Sequence, residues 1–120
     1  MRVLKFGGTS VANAENIKLV LDIVLNKAQA EKLVVVVSAL SKVTDLLQLA
    51  ASKAASNDES FKEIVTEIEK KHLEALKQLI PVSEQSGLLS HIKRIINHLE
   101  TLLDGCFLLG ELSPRTLDTI

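Results

Sequence analysis

The sequence has a single cysteine and very few aromatic residues, and each shortage limits what the chain can be. Cys106 has no cysteine partner, which excludes an intrachain disulfide and a thiolate-rich zinc site. With three Phe and no Trp or Tyr, the core must be built from Leu, Ile, Val and Ala. Because Cys106 stands in an apolar run, we expect it to be a small buried hydrophobic residue.

The sequence also lacks an excess of charge of either sign. Fourteen Lys and Arg residues nearly balance 15 Asp and Glu residues, giving a net charge of −1 and a pI near 6.3. This balance gives no electrostatic reason to expect nucleic acid or an anionic membrane as a partner. No apolar run approaches the ~18–20 residues of a membrane span, and no secretory signal is present. We therefore expect a cytoplasmic protein with no membrane partner.

The first half of the chain has the pattern of a βαβ unit. Apolar residues at Val3, Leu4 and Phe6 predict a strand, and a helical apolar period follows from about 14 to 30, with Asn13 as N-cap. The β-branched run 33–37 predicts a second strand, buried on both faces in a parallel sheet. A further helix is expected to run to about residue 55. The fold class is therefore α/β.

The second half of the chain is predicted to be a helical hairpin. After a polar break at 56–60, one apolar-striped helix runs to Pro81, which ends it. A loop containing Ser86 and Gly87 precedes a second striped helix, closed by Gly105. We find no chemistry in this hairpin. The three histidines are interpreted as structural, and no metal ligand is assigned: His72, His91 and His98.

A glycine pair directly after the first strand is the main candidate for a ligand site. In Lys5-Phe6-Gly7-Gly8-Thr9-Ser10-Val11, glycine would allow φ > 0 and close approach of the backbone to a ligand. Free N–H groups before a helix can bind a phosphate, and Lys5, Thr9 and Ser10 add further donors. An ordinary strand–helix turn with no ligand is the alternative. The spacing fits neither a P-loop nor a dinucleotide-binding loop.

A hydroxyl-rich loop follows the second strand. In open α/β sheets ligands bind beyond the carboxyl ends of the strands, so Gly7-Gly8 and Ser38-Ala39 should lie side by side if the strands are parallel neighbours. The alternative is purely structural, with Ser41 as the N-cap of the helix that begins near Lys42.

Two motifs resemble a known family. Phe6-Gly7-Gly8-Thr9-Ser10-Val11 closely resembles the opening signature of the aspartokinases, in the amino-acid-kinase superfamily, and residues 1–15 are most similar to the start of the bifunctional aspartokinase–homoserine dehydrogenases. The run from Val37-Ser38-Ala39 to Val43-Thr44 is similar to a second aspartokinase motif. The hairpin resembles the helical insertion of the long forms. The resemblance implies part of a three-layer amino-acid-kinase (carbamate-kinase-like) sandwich.

The resemblance also implies an activity and a set of site residues. It implies transfer of the ATP γ-phosphoryl group to the β-carboxylate of L-aspartate, the first step towards threonine, lysine and methionine. Mg²⁺ would accompany ATP, NADP would be used only if a dehydrogenase domain follows, and a homo-oligomer is expected. Lys5 is the implied catalytic residue, Ser38 and Thr44 are implied to bind aspartate, and the residues implied to bind the ATP phosphates are Lys5, Phe6, Gly7, Gly8, Thr9 and Ser10.

The end of the sequence indicates a fragment. Ser113-Pro114 begins a helix that has only about six residues. We expect an N-terminal part of a kinase domain, inactive alone, divided into 1–56 with both loops, 57–105 with the hairpin, and 106–120 as the start of the next segment. Gly110-Glu111 resembles a substrate-binding pair of the family, but its surroundings do not fit, so Glu111 is not assigned. Two alternatives stay open: a kinase for another carboxylate or carbamate, and a non-catalytic helical interaction module.

Overall fold

The computed structural model describes residues 1–120, which form two strands, five α-helices and one short 3-10 helix. The chain divides into two compact units, residues 1–44 and 45–120. The elements in chain order are β1 (Arg2–Phe6), α1 (Ala14–Ala28), β2 (Leu33–Val37), α2 (Val43–Ala55), α3 (Phe61–Leu79), the 3-10 helix (Val82–Glu84), α4 (Gln85–Leu109) and α5 (Pro114–Thr119).

The first unit is the predicted βαβ unit. Strands β1 and β2 pair in parallel, in a register that runs from Arg2 opposite Leu33 to Phe6 opposite Val37. Asn13 is the N-cap of α1, as predicted, because its side-chain oxygen accepts a hydrogen bond of 2.9 Å from the Asn16 N–H. The parallel pairing brings both strand ends to one edge of the sheet.

The prediction that β2 is buried on both faces is wrong for this chain. Val34, Val35, Val36 and Val37 keep 41% to 58% of their surface exposed. Within residues 1–44 the sheet has two strands and one helix, so no second layer covers it. The continuous apolar run matches a strand inside a larger covered sheet, which these residues do not form alone.

The second unit is built on the predicted helical hairpin. Helices α3 and α4 pack against each other, and the most completely buried large side chains are Phe61, Val65 and Leu103. The Phe61 and Phe107 rings lie with their centroids 5.7 Å apart, and a Lys93–Glu69 ion pair joins the two helices. An aromatic residue thus helps to anchor a core that is otherwise aliphatic.

The boundaries of α4 differ from the prediction. The helix already includes Ser86 and Gly87, and it continues through Gly105 to Leu109. It ends at Gly110, whose φ of 67° is the left-handed conformation that glycine adopts at helix ends. Apolar residues on both sides of Gly105 keep the helix packed, and glycine within a helix costs only about 1 kcal/mol.

Three smaller expectations can be compared with the structure. Cys106 is buried, as predicted. His72 is half-buried and its Nδ1 lies 2.7 Å from the Ile68 carbonyl oxygen, whereas His91 and His98 are exposed. None of the helices is both long enough and apolar enough to cross a membrane.

Candidate phosphate- and substrate-binding loops

Lys5 lies on the more exposed face of β1. Side chains alternate between the two faces of a strand, and Val3 and Lys5 are exposed whereas Leu4 and Phe6 are half-buried. No carboxylate of the chain forms a salt bridge with Lys5. The ammonium group next to the end of the strand is therefore available for an external anion.

The loop after β1 presents three consecutive backbone donors. The N–H groups of Gly7, Gly8 and Thr9 donate to no acceptor in the chain, whereas the Ser10 N–H is used in a turn, at 3.1 Å from the Gly7 carbonyl oxygen. The Asn16 side chain on α1 donates to the Thr9 carbonyl oxygen at 2.9 Å and fastens the loop to the helix. Successive free N–H groups form the kind of concavity that binds anions.

The glycine pair does not use the left-handed conformation that glycine allows. Neither Gly7 nor Gly8 has a positive φ. A Cβ on Gly7 would meet no atom within 4 Å, so the fold itself leaves open space at this position. Because glycine has no side chain, a ligand can approach the Gly7 backbone closely. Close approach, not a positive φ, is therefore the property of glycine that this loop uses.

The loop after β2 lies beside the glycine loop, as the strand order predicts. The Ser38 N–H donates to the Phe6 carbonyl oxygen at 3.2 Å and continues the ladder past the end of β2. A Cβ on Gly8 would lie 3.7 Å from the Ser38 hydroxyl oxygen and 3.9 Å from the Ala39 carbonyl oxygen. The Ser38 hydroxyl also lies 2.8 Å from that carbonyl oxygen. Ser38 and the glycine pair therefore share one edge of the sheet.

The other hydroxyl residues of this loop are not fixed by internal contacts. Thr44 is exposed on the first turn of α2, and its hydroxyl makes no hydrogen bond within the chain. The Ser41 hydroxyl likewise bonds to no helix N–H, so the alternative role of Ser41 as an N-cap is not observed. Lys42 belongs to the second motif but was assigned no role from the sequence, and it has a φ of 68° in this loop.

The residues present fit a phosphate group. Three free N–H groups, an unpaired lysine and nearby hydroxyls are the donors that such an anion requires. A metal is a different case, because the chain contains no cluster of three or more His, Cys, Asp or Glu side chains that could hold one. We assign no residue of this chain to a metal ion.

The pKa of the Asp58 carboxyl, in the second unit, is lowered by its hydrogen bonds and by a neighbouring charge. The Ser60 backbone N–H donates to Asp58 at 3.0 Å and lowers the pKa of that carboxyl, and the Lys53 ammonium 3.4 Å away acts in the same direction. The Ser60 hydroxyl is buried without a hydrogen-bond partner, so the backbone bond is the main cause. This arrangement orders the turn between α2 and α3.

Comparison with known proteins places the chain in a family. Residues 1–111 match the model of the amino acid kinase family. A bifunctional aspartokinase/homoserine dehydrogenase 2 (chloroplastic) of Arabidopsis thaliana is 34% identical over 118 residues, and an aspartokinase of Candida albicans is 35% identical over 124 residues. Each alignment covers 98% of this chain, but only 13% and 22% of the respective relative. An aspartokinase of Chlamydia pneumoniae is 42% identical over 98 residues, which is 82% of this chain and 21% of that protein.

These matches confirm the resemblance to aspartokinases inferred from the two motifs. They extend over nearly all of the chain, including the hairpin, although the chain spans only about an eighth to a fifth of the length of these relatives. The α/β architecture, with its parallel strand pair, is consistent with part of an amino-acid-kinase fold. The chain belongs to the amino acid kinase family.

Proposed function

We propose that the protein containing this chain is an aspartate kinase, which transfers the γ-phosphoryl group of ATP to the β-carboxylate of L-aspartate. The names of the relatives, aspartokinase and bifunctional aspartokinase/homoserine dehydrogenase, support this activity. This chain would supply one part of the active site. It would be inactive by itself, since relatives of this kind are several times longer.

The phosphate-binding role falls to the loop after β1. Phosphoryl transfer is catalysed mainly by positioning and by neutralising the charge of the transferring group. The N–H groups of Gly7, Gly8 and Thr9 would bind phosphate oxygens, with Phe6 and Ser10 at the borders of the loop. ATP supplies the phosphoryl group, and Mg²⁺ would be held by its phosphates. Lys5 would lie against the developing negative charge.

The acceptor-binding role falls to the loop after β2. Ser38 would donate its hydroxyl to the amino-acid substrate, in place of the nearby Ala39 carbonyl oxygen, and Thr44 would provide a second hydroxyl. The close approach of Gly8 to Ser38 is the observation that carries this proposal. It would bring donor and acceptor together, as an in-line transfer requires.

The remaining proposals concern the organisation of this chain and of the full-length protein. We propose that residues 1–56 carry both loops, that 57–105 form a helical hairpin with a packing role, and that 106–120 begin the next segment. A homoserine dehydrogenase domain would add NADP as a cofactor. A homo-oligomer and a cytoplasmic location remain predictions, and the names of the plant relatives specify chloroplasts instead.

The test is an acyl-phosphate assay on the full-length protein, with ATP, Mg²⁺ and L-aspartate and with hydroxylamine as the trap. We expect Lys5→Ala to reduce kcat by at least about 10²-fold, because a donor aimed at developing charge contributes on this scale. Lys18→Ala is the matched control, since Lys18 is an exposed lysine of α1 that forms no salt bridge. Near-normal turnover by Lys5→Ala would remove Lys5 from the mechanism.

A further inference from the structure

A tight turn between β2 and α2 holds a lysine in a conformation that suits glycine. The Val43 N–H donates to the Leu40 carbonyl oxygen at 3.0 Å, which closes a four-residue turn. Lys42 is its third residue and has a φ of 68°, whereas Ser41 has no positive φ. This combination defines a type II turn, in which the third position favours glycine or asparagine.

The lysine has no evident role in stabilising the turn. A left-handed backbone is unfavourable for a residue with a Cβ, and glycine would adopt it without that cost. The Lys42 side chain is exposed and forms no salt bridge. No hydrogen bond or salt bridge of the Lys42 side chain therefore offsets the strain, and strained residues of this kind concentrate at functional sites.

The turn lies against the glycine loop. The Cα atom of Ser41 would lie 3.8 Å from a Cβ on Gly8, which places the backbone next to Lys42 in direct proximity to the candidate phosphate loop. Lys42 directly follows Ser41, and Lys5 lies in β1 two residues before Gly7. Neither lysine forms a salt bridge within the chain, so both ammonium groups lack an internal counter-ion.

We propose that Lys42 is a further substrate-binding residue of this site, which binds an anionic group of one of the two substrates. The anion is either the carboxylate of the acceptor amino acid or a phosphate of the nucleotide, and the ammonium group suits both. This inference rests on the proposed kinase function. It gives the strained lysine a role that a glycine at the same position could not fulfil.

The test separates the charge of Lys42 from its backbone conformation. Lys42→Gly removes the charge and relieves the strain, whereas Lys42→Arg keeps the charge and the strain. In the full-length protein we expect Lys42→Gly to raise the KM of one substrate by about tenfold or more, the scale of a lost charged hydrogen bond. Its melting temperature should be unchanged or higher. Lys42→Arg should stay within about threefold of the wild-type KM.

The substrate whose KM changes identifies the anion. A higher KM for L-aspartate assigns Lys42 to the acceptor carboxylate, and a higher KM for ATP assigns it to a phosphate. Unchanged KM values for both substrates in Lys42→Gly would overturn the proposal. Equal loss of activity in the Gly and Arg variants, with a lower melting temperature in both, would also overturn it, because Lys42 would then be structural.

A binding measurement keeps this test independent of turnover. L-Aspartate and ATP are titrated separately by calorimetry into wild-type protein and into Lys42→Gly. Weaker binding of either compound by the variant supports the role of Lys42, even if the wild type transfers no phosphoryl group. Absence of phosphoryl transfer would contradict only the proposed function. Equal binding by both proteins, or no binding by the wild type, overturns the role of Lys42.

Discussion

Gly7→Ala is the substitution that best separates ligand binding from folding in this chain. A Cβ at Gly7 would meet no atom within 4 Å, and the residue does not have a positive φ. Alanine is therefore compatible with the backbone seen here. If Gly7 were present only for the turn, the substitution would have no functional consequence.

The expected effects on stability and on activity have opposite signs. Replacing a glycine by alanine at a compatible position stabilises a protein by about 0.4–1 kcal/mol, since the unfolded chain loses freedom. The new methyl group would occupy space next to the free N–H groups, where a phosphate oxygen must approach to about 3 Å. Losing one such donor contact reduces turnover by about 10²–10³-fold.

The assay compares Gly7→Ala with Gly87→Ala in the full-length protein. Gly87 lies in α4, and a Cβ there would also meet no atom within 4 Å, so it is a matched control for the chemical change. Both variants should melt at or above the wild-type temperature, and only Gly7→Ala should lose hydroxamate formation. Full activity in Gly7→Ala, or a large drop in its melting temperature, would refute the reasoning.

The second unit gives three further predictions. Gly110→Ala should destabilise the protein by about 1–2 kcal/mol in urea unfolding, because φ at Gly110 is 67° and the new Cβ would lie 3.2 Å from Asn57 Oδ1. An unchanged urea midpoint of unfolding would contradict this. Leu103→Ala should lower the free energy of unfolding by about 2–5 kcal/mol in the same measurement, since Leu103 is fully buried. A loss below about 1 kcal/mol would contradict the packing of this side chain in the core. The pKa of Asp58 is lowered in the folded protein, so the ionised carboxylate stabilises the fold. This stabilisation is complete above the ordinary pKa of 3.8 and is lost as the pH falls through the lower pKa of the folded state. The stability of Asp58→Asn should therefore depend less on pH below about 4 in acid unfolding than that of the wild type, and identical acid profiles would show that the pKa of Asp58 is not lowered in the folded protein.

Much of the fold could be predicted because local patterns decided it. The apolar period of α1 and the N-cap at Asn13 depend on neighbouring residues alone, as does the start of α5 at Ser113, whose hydroxyl accepts from the Thr116 N–H. The parallel pairing followed from the strand–helix–strand order. The proximity of Gly8 and Ser38 was then a consequence of topology.

What sequence reasoning missed depends on tertiary context or on the backbone. The run Leu33–Val37 has the composition of a covered strand, but no second layer covers it within residues 1–44. Gly105 is typical of a helix end, but apolar residues pack on both sides of it along the chain. Helix α4 therefore continues to its C-cap at Gly110. The positive φ of Lys42 had no sequence signal, because a type II turn normally shows itself by glycine.

The central claim is that these two loops belong to a kinase that phosphorylates L-aspartate. The most direct measurement is hydroxamate formation by the purified full-length protein with ATP and Mg²⁺, with L-aspartate and L-glutamate as separate acceptors. We predict hydroxamate with L-aspartate and far less with L-glutamate. Formation with another acid alone would keep the family and overturn the substrate, and no acyl phosphate with any carboxylate acceptor would contradict the account.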